Sequence, residues 1–441
     1  MKKITLITFL IFSVTINIRA QKNDFPKLTG SYLGQKLPGK TSEVFIPGIV
    51  STEKNEALVG FFVPIHGQEE LPREITFCVG QYELIHSDIL NEERTILVHL
   101  PDDYESSSKE YPVLFVLDAE GTQRYIQGIT AITFYSSIRR LPKMIVVGIL
   151  NIDRTRDITP RKVVQQINSG GGDAFIEFIV SELIPYIEST YRSAQYRILF
   201  GGSLAGMFTI YALFSRPESF NAYIASRPAL NSTDDYTWDS EIIFRLANHQ
   251  FAGKSSLNKI LFIDYGGQED DLHEASPIHK LSALFKAEAP QDFHWDIRET
   301  GESSYRSAGS LKDGLLSIFS DWYYPADSLY TQGLKGIENH AKRLTTRFGY
   351  AITIADLLAE MDLITFGCRF LEHGALNEAF SLFKYAVEIY PNSWKAFDSL
   401  AEAYMKNGQV DLSVENYEKS LELNPNNHNA KEMLKKIHDD K

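Results

Sequence analysis

The stretch that decides the fold is "YRILFGGSLAGMFTIYALF", Tyr196 to Phe214. Its first half is an apolar run of the kind a buried strand carries. The run breaks at Gly201-Gly202-Ser203-Leu204-Ala205-Gly206 and resumes at once with helical spacing. A serine at so tight a strand-to-helix corner, walled by small residues, has two explanations. Either the small residues let Ser203 project as a nucleophile, or a glycine-rich turn happens to contain a serine. The flanking sequence separates them.

From Cys78 to Tyr324 strands and helices alternate. "ERTILVHLP", "YPVLFVLD" and "KMIVVGIL" read as strands, the second a continuous apolar run suited to a sheet covered on both faces. "DAFIEFIVSELIPYIESTY" is an amphipathic helix by its three- and four-residue apolar spacing. The strand "YRILFGGS", the helix to Arg216, "FNAYIAS", a helix around Trp238 to Asn248 and "NKILFIDYG" follow. A helix "SPIHKLSALFKAEA", a strand "DFHWDIRE" and a helix "LKDGLLSIFSDW" close the unit. Such alternation predicts an α/β fold over residues 76–324, a mostly parallel sheet with helices on both faces. Residues 21–75, rich in Gly, Pro and short β-prone runs, are expected to form an extended arm or a small added sheet.

Beyond Tyr324 the pattern is all-helical. Gly374 and Gly408, Phe383 and Tyr417, and Pro391 and Pro425 each stand 34 residues apart, the tetratricopeptide period. "AEAYMKNGQVDLSVENYEKSLELNP" carries that pattern well and "FLEHGALNEAFSLFKYAVEIYP" more loosely. Two repeats bury little alone, so "ITIADLLAEMDLI" and "NAKEMLKKIH" are expected to add cap helices, and the array to dock on the α/β unit. Residues 325–347 are the expected connector and 348–441 the all-α repeat domain.

Length and composition bound the rest. A chain of 441 residues calls for two or three domains, and 44% hydrophobic content supplies a large core. The net charge of −13 disfavours nucleic acid and anionic membranes as partners. "MKKITLITFLIFSVTINIRAQ" has Lys2 and Lys3, an apolar stretch from Ile4 to Ile16 and Ala20 before Gln21. That is the plan of a secretory signal over residues 1–20, so a periplasmic or secreted location is expected. Its apolar run falls short of the roughly 18 residues of a membrane span. Cys78 and Cys368 lie far apart in apolar surroundings and read as two separate buried thiols. No HxxxH or HExxH pattern accompanies them, so neither a metal nor a cofactor is expected.

With a strand before it and a helix after it, Gly201-Gly202-Ser203-Leu204-Ala205 meets the condition for reading G-x-S-x-G as a nucleophile elbow. Ala205 replaces the last glycine and is still small enough for close strand–helix approach. A serine at a strained corner exposes Oγ, and helix-start amides face the negative charge that develops in acyl transfer. The Leu204 N–H is one expected oxyanion donor. A second is expected from the turn after Asp118, near Ala119 or Glu120.

Residues from about Glu83 to Trp322 resemble the putative-esterase family of α/β hydrolases, which includes enterobactin esterase and S-formylglutathione hydrolase relatives. The matching segments are "ERTILVHLPDDYESSSKEYPVLFVLDAEG", "MIVVGILNIDRTRDITP", "GGGDAFIEFIVSELIPYIESTYR", "GGSLAGMFTIYALFSRPESFNAYIAS" and "SLKDGLLSIFSDW", in the expected order. The resemblance implies a serine-hydrolase mechanism in which Ser203 attacks an ester carbonyl. Family members usually act on small acyl esters, siderophore lactones or carbohydrate-linked esters.

The acid is expected just after "KILFIDYG", at Glu269, with Asp270 as the neighbour that can replace it; "QEDD" reads equally as a solvated turn. The histidine is the departure. In the family it lies after the last strand, and counting back about eight residues from Leu311 lands on Ser303 in "RETGESSYRSAGSL". No histidine stands between His294 and His340. A serine hydroxyl needs a general base, and neither Ser303 nor Ser304 accepts a proton at pH 7. His294 is expected in the final strand far from the elbow, His279 on a helix surface and His273 in an acidic loop. Glu302 serves only if burial raises its pKa. Tyr305 and Arg306 are expected to fill the space left by the missing base.

In "NIDRTRDITP", Arg154 and Arg156 with Asp153 and Asp157 either bind an anionic substrate group at the sheet's C-terminal edge or pair among themselves to hold the loop, the structural role being favoured. Two functions follow from the chain as a whole. One is an exported serine esterase acting on a small ester substrate through Ser203, weak for want of the histidine. The other is a catalytically silent hydrolase fold that binds a ligand, with the repeats gripping a protein or peptide partner.

Overall fold

The computed structural model describes residues 50–51, 56–63, 73–121, 123–163, 166–230, 240–266, 276–300 and 309–439, with side chains from Val79 onward. The strands are β1 (Val50–Ser51), β2 (Glu56–Val63), β3 (Arg73–Ser87), β4 (Glu92–His99), β5 (Tyr111–Val116), β6 (Ile145–Ile149), β7 (Ser193–Gly202), β8 (Ala222–Ser226), β9 (Ile260–Tyr265) and β10 (His294–Glu299). They form one sheet in the order β1-β2-β3-β4-β6-β5-β7-β8-β9-β10. Pairing is antiparallel from β1 to β6 across β2, β3 and β4, and parallel from β6 to β10. Every residue of β5 and β6 is buried, which is why their sequences are continuous apolar runs rather than alternating ones. This is an α/β hydrolase sheet followed by a helical array.

The helices of the sheet unit are α1 (Gln123–Ser137), α2 (Arg154–Asp157), α3 (Gly172–Phe178), α4 (Ile184–Thr190), α5 (Leu204–Ser215), α6 (Ser240–Phe251), α7 (Pro277–Glu288) and α8 (Ser310–Ile318). The single helix expected over "DAFIEFIVSELIPYIESTY" is α3 and α4 joined by a π-helical turn, Ile179–Leu183. Pro185 has no N–H to donate to Ser181, and the Ile184 N–H bonds five residues back to the Ile179 carbonyl. One face of the sheet packs on α3 to α7 around Phe175, Phe208, Phe214 and Phe251. The other packs on α1 and α8 around Tyr125, Leu311 and Leu315.

Residues 56–63 do not make a separate small sheet. β2 pairs along β3 from Glu56↔Gln81 to Val63↔Arg73, with a bulge at Ala57/Leu58, and lengthens the main sheet. The expected connector is also structured. It is α9 (Ala326–Phe348), broken at Gly333, whose φ of 58° and ψ of −157° only glycine adopts readily. Then come α10 (Ile354–Leu357), α11 (Glu360–Glu372), α12 (Leu376–Ile389), α13 (Trp394–Lys406), α14 (Val410–Leu423) and α15 (His428–Asp439). The apolar cluster under α1 and α8 runs without interruption through Trp322, Phe348 and Leu363 to Leu400 and Ala403. Tyr196, near the N-terminal end of β7, packs edge-on to Phe348, and Lys109 pairs with Asp356 just before β5 begins. The array is therefore seated against the edge of the sheet where the parallel strands start. Cys368 is a half-buried free thiol on α11; the Cys78 side chain lies outside the described residues.

Candidate active site

Parallel strands deliver their loops at the edge where they end. β5 is followed in the sheet by β6 on one side, and β7 by β8 on the other. The chain thus diverges at the C-terminal ends of β5 and β7, which is where open α/β sheets carry their crevice. Val116 of β5 pairs with Phe200 of β7, so Asp118 and Ala119 leave one strand beside the point where Gly202 and Ser203 leave the next.

Ser203 is partly exposed and has φ 59° and ψ −121°, a conformation that costs a non-glycine residue about 1–3 kcal/mol. It persists because its backbone is pinned three ways. The Ser203 N–H donates to the Ser226 carbonyl (2.9 Å), and the Ser203 carbonyl accepts from Met207 N–H and Ala229 N–H (3.0 Å each). The side chain does not cap α5, which leaves the hydroxyl for another use. Leu204 opens α5, so its N–H belongs to the helix-start amides with no intrahelical acceptor. Ala119 opens the short 3₁₀ turn Ala119–Gly121 after Asp118, itself at φ 57°.

The small residues are required by contact. A Cβ on Gly201 would lie 2.5 Å from the Ala205 carbonyl carbon and 2.7 Å from Thr209 Oγ1. A Cβ on Gly202 would lie 2.9 Å from Arg124 Nε and Nη2, so the Arg124 guanidinium fills the space beside the strand end that precedes Ser203. Gly148 of β6 likewise leaves room for the Ala119 methyl and the Tyr125 ring.

Asp118 organises this edge. It accepts from Arg124 Nη1 (3.0 Å), from Arg154 Nε and Nη2 (2.9 and 2.8 Å) and from Asn151 Nδ2 (2.7 Å). Asn151 also donates from its backbone N–H and Nδ2 to Glu120 (3.1 and 2.8 Å). The charged loop is held from below. Arg94, fully buried, donates Nη1 to Asp157 (2.8 Å) and Glu92 (2.9 Å) and lies over the Phe175 and Phe178 rings. Arg156 pairs with Glu92 and Asp157. Against the burial that pushes it up, hydrogen bonds from Arg156 and Arg94 hold the Glu92 carboxyl below its ordinary range. Arg154 and Arg156 are thus paired, with partners that mostly lie outside the loop itself.

At the far side of the same edge, Asp264 of β9 is fully buried and accepts from Ser310 Oγ (2.7 Å). Burial pushes its carboxyl up, opposed by Ser310, Ser226 and Arg227.

Of the residues singled out in the sequence, Ser203, Leu204 and Ala119 come together at the ends of adjacent strands. Glu269, Asp270, His273, Glu302, Ser303, Ser304, Tyr305 and Arg306 lie outside the described residues. His294 begins β10 and is exposed at the opposite edge. His279 is partly buried rather than on the surface of α7, with Ser276 Oγ 3.1 Å from Nδ1 and the Tyr265 hydroxyl 3.4 Å from Nε2. Sequence reasoning missed Arg124 and Asp264. The only signal for Asp264 was an acid inside the apolar run "ILFIDY"; nothing local marked Arg124.

Residues 87–308 match the Putative esterase family, and residues 394–427 match a tetratricopeptide repeat. The siderophore triacetylfusarinine C esterase of Aspergillus fumigatus is 35% identical over 79 residues, 18% of this chain and 27% of that protein. The ferri-bacillibactin esterase BesA of Bacillus subtilis is 30% identical over 108 residues, 24% of this chain and 35% of that protein. The matched stretch thus spans about a third or less of these relatives. An IroE-like serine hydrolase from Shewanella oneidensis shares the fold, with a TM-score of 0.57 at 24% identity over 70% of this chain and 99% of that one. The chain belongs to the Putative esterase family of α/β hydrolases and carries a tetratricopeptide repeat toward its C-terminus.

Proposed function

We propose that the chain is an exported serine esterase that cleaves a carboxylic ester through Ser203. The observation that carries this reading is the strained, pinned backbone of Ser203, a partly exposed residue whose hydroxyl is not consumed as a helix cap. Ser203 Oγ attacks the ester carbonyl, the alcohol departs, and water hydrolyses the acyl-serine so formed. The N–H groups of Leu204 and Ala119 receive the oxyanion. Glu269 is the proposed acid. The sequence holds Ser303 where the family has its base, so turnover is slow compared with a complete triad. Siderophore esters are the substrate class favoured by the named relatives.

The empty histidine position supports a second reading, a silent hydrolase fold that binds its ligand without cleaving it. One experiment separates them. A fluorophosphonate probe is expected to label the wild-type chain and not Ser203→Ala, with p-nitrophenyl acetate hydrolysed above the Ser203→Ala background. No labelling, with hydrolysis at that background, refutes the esterase and leaves the binder.

A further inference from the structure

The parallel register of β7, β8 and β9 sets Gly202, Ser226 and Asp264 on one rung, with side chains directed to the same face of the sheet. Asp264 has no exposure to solvent. Its Oδ2 accepts from Ser310 Oγ at 2.7 Å, while Oδ1 has no hydrogen-bond partner among the described residues. Arg227 Nε stands 3.8 Å from Oδ2, and the Arg227 N–H donates to the Asp264 carbonyl at 2.9 Å. Arg227 Nη2 reaches on to Thr300 Oγ1 at 3.1 Å. Ser226, between the two strands, supplies the carbonyl that accepts the Ser203 N–H.

A carboxylate so placed is costly. A buried polar group lacking a partner is destabilising, and more so when charged. Phe262, two residues earlier on the same face, shows that an apolar side chain suits this strand. Buried polar groups kept despite their cost call for an explanation. The contacts of Asp264 lead to the end of β8 through Ser226 and Arg227, to Thr300 just beyond β10 by way of Arg227, and to the first residue of α8 through Ser310, and the end of β8 in turn bonds the Ser203 backbone.

We propose that Asp264 is a positioning residue, which holds the ends of β8 and β10 and the start of α8 in the arrangement that keeps Ser203 at its reactive angle. This rests on the reading of Ser203 as the nucleophile. The role passes through the Ser226 carbonyl and the Ser203 backbone, so Asp264 does not touch substrate.

The test uses the full chain and a fluorophosphonate probe, separating the limiting rate of Ser203 modification from the probe's binding constant, with the thermal midpoint measured on the same samples. Asp264→Asn removes the charge and keeps the shape. It is expected to lower the limiting rate about tenfold with the binding constant little changed and the midpoint not lowered. Asp264→Glu is expected to recover part of the rate. Should Asp264→Asn fail to fold, Ser310→Ala, which deletes one hydroxyl contact, carries the same expectation at about threefold. Labelling of the variant at the wild-type rate overturns the inference alone. Loss of midpoint and binding in proportion to the rate also overturns it, because loosened packing then accounts for the effect. Absence of labelling in the wild type overturns both the nucleophile and the residue said to position it.

Discussion

Two neighbouring glycines in the opening stretch have opposite reasons for being glycine, and alanine at each position tests the geometry of the corner. At Gly201 the added methyl meets backbone. It would lie 2.5 Å from the Ala205 carbonyl carbon, where ordinary contact begins at 3.4 Å. The overlap is about 1 Å, and the obstructing atom belongs to the first turn of α5, so the start of the helix must move and Ser203 with it. Overpacking of this kind costs about 1–3 kcal/mol. At roughly 2–4 °C per kcal/mol for a unit of this size, the thermal midpoint falls by about 2–12 °C. A shift of about 1 Å in a catalytic group lowers the rate on the order of 100-fold. At Gly202 the added methyl meets the mobile end of Arg124, 2.9 Å away, which can swing aside. Gly202→Ala is therefore expected to keep the wild-type stability within about 1 kcal/mol and to displace only the guanidinium. The assay is the second-order rate of fluorophosphonate labelling beside thermal unfolding followed by circular dichroism. Labelling of Gly201→Ala at the wild-type rate would refute the reasoning, as would equal destabilisation by the two substitutions.

The strain at Ser203 predicts that Ser203→Gly is more stable than Ser203→Ala by about 1 kcal/mol, since both lose the hydroxyl and only glycine relaxes the positive φ; equal urea midpoints would count against it. Asp157→Asn removes the charge 2.8 Å from the buried Arg94 guanidinium, which keeps Glu92 as a partner, and is expected to cost about 1–3 kcal/mol, while Arg94→Met combined with Asp157→Leu recovers most of that in chemical denaturation. No recovery in the double variant would show that the pair itself stabilises the fold. Asp264 sets a pH dependence. Burial raises its pKa above the ordinary 3.8, so the folded chain holds this proton more tightly than the unfolded chain. The contribution is full below that value and is lost as pH rises through the raised folded value, so Asp264→Asn is expected to gain stability relative to the wild type as pH rises above 3.8. A difference that stays flat across that range would refute the shift.

Much of the molecule is written in local spacing. The apolar run of β7, the small residues at Gly201 to Gly206 and the helical period after them act within a few residues of one another, so the strand-to-helix corner at Ser203 can be read directly. The same holds for the glycines and aromatics repeating at 34 residues in α11 to α14. Helical and strand periods are properties of consecutive residues, and the chain alone determines them. Which partners meet at the corner is another matter. Arg124 stands in α1 and fills the place a Gly202 side chain would take; Ser310 bonds to Asp264 across 46 residues, and Arg94 to Asp157 across 63. Those meetings depend on strand order and on which helix covers which face, as does the addition of β2 to the main sheet and the seating of α9 against Tyr196. The sequence by itself determined the corner, the alternation and the repeats, because they are encoded by neighbours. Only the tertiary structure decided what surrounds Ser203, because burial and charge pairing there come from residues that the fold alone brings together.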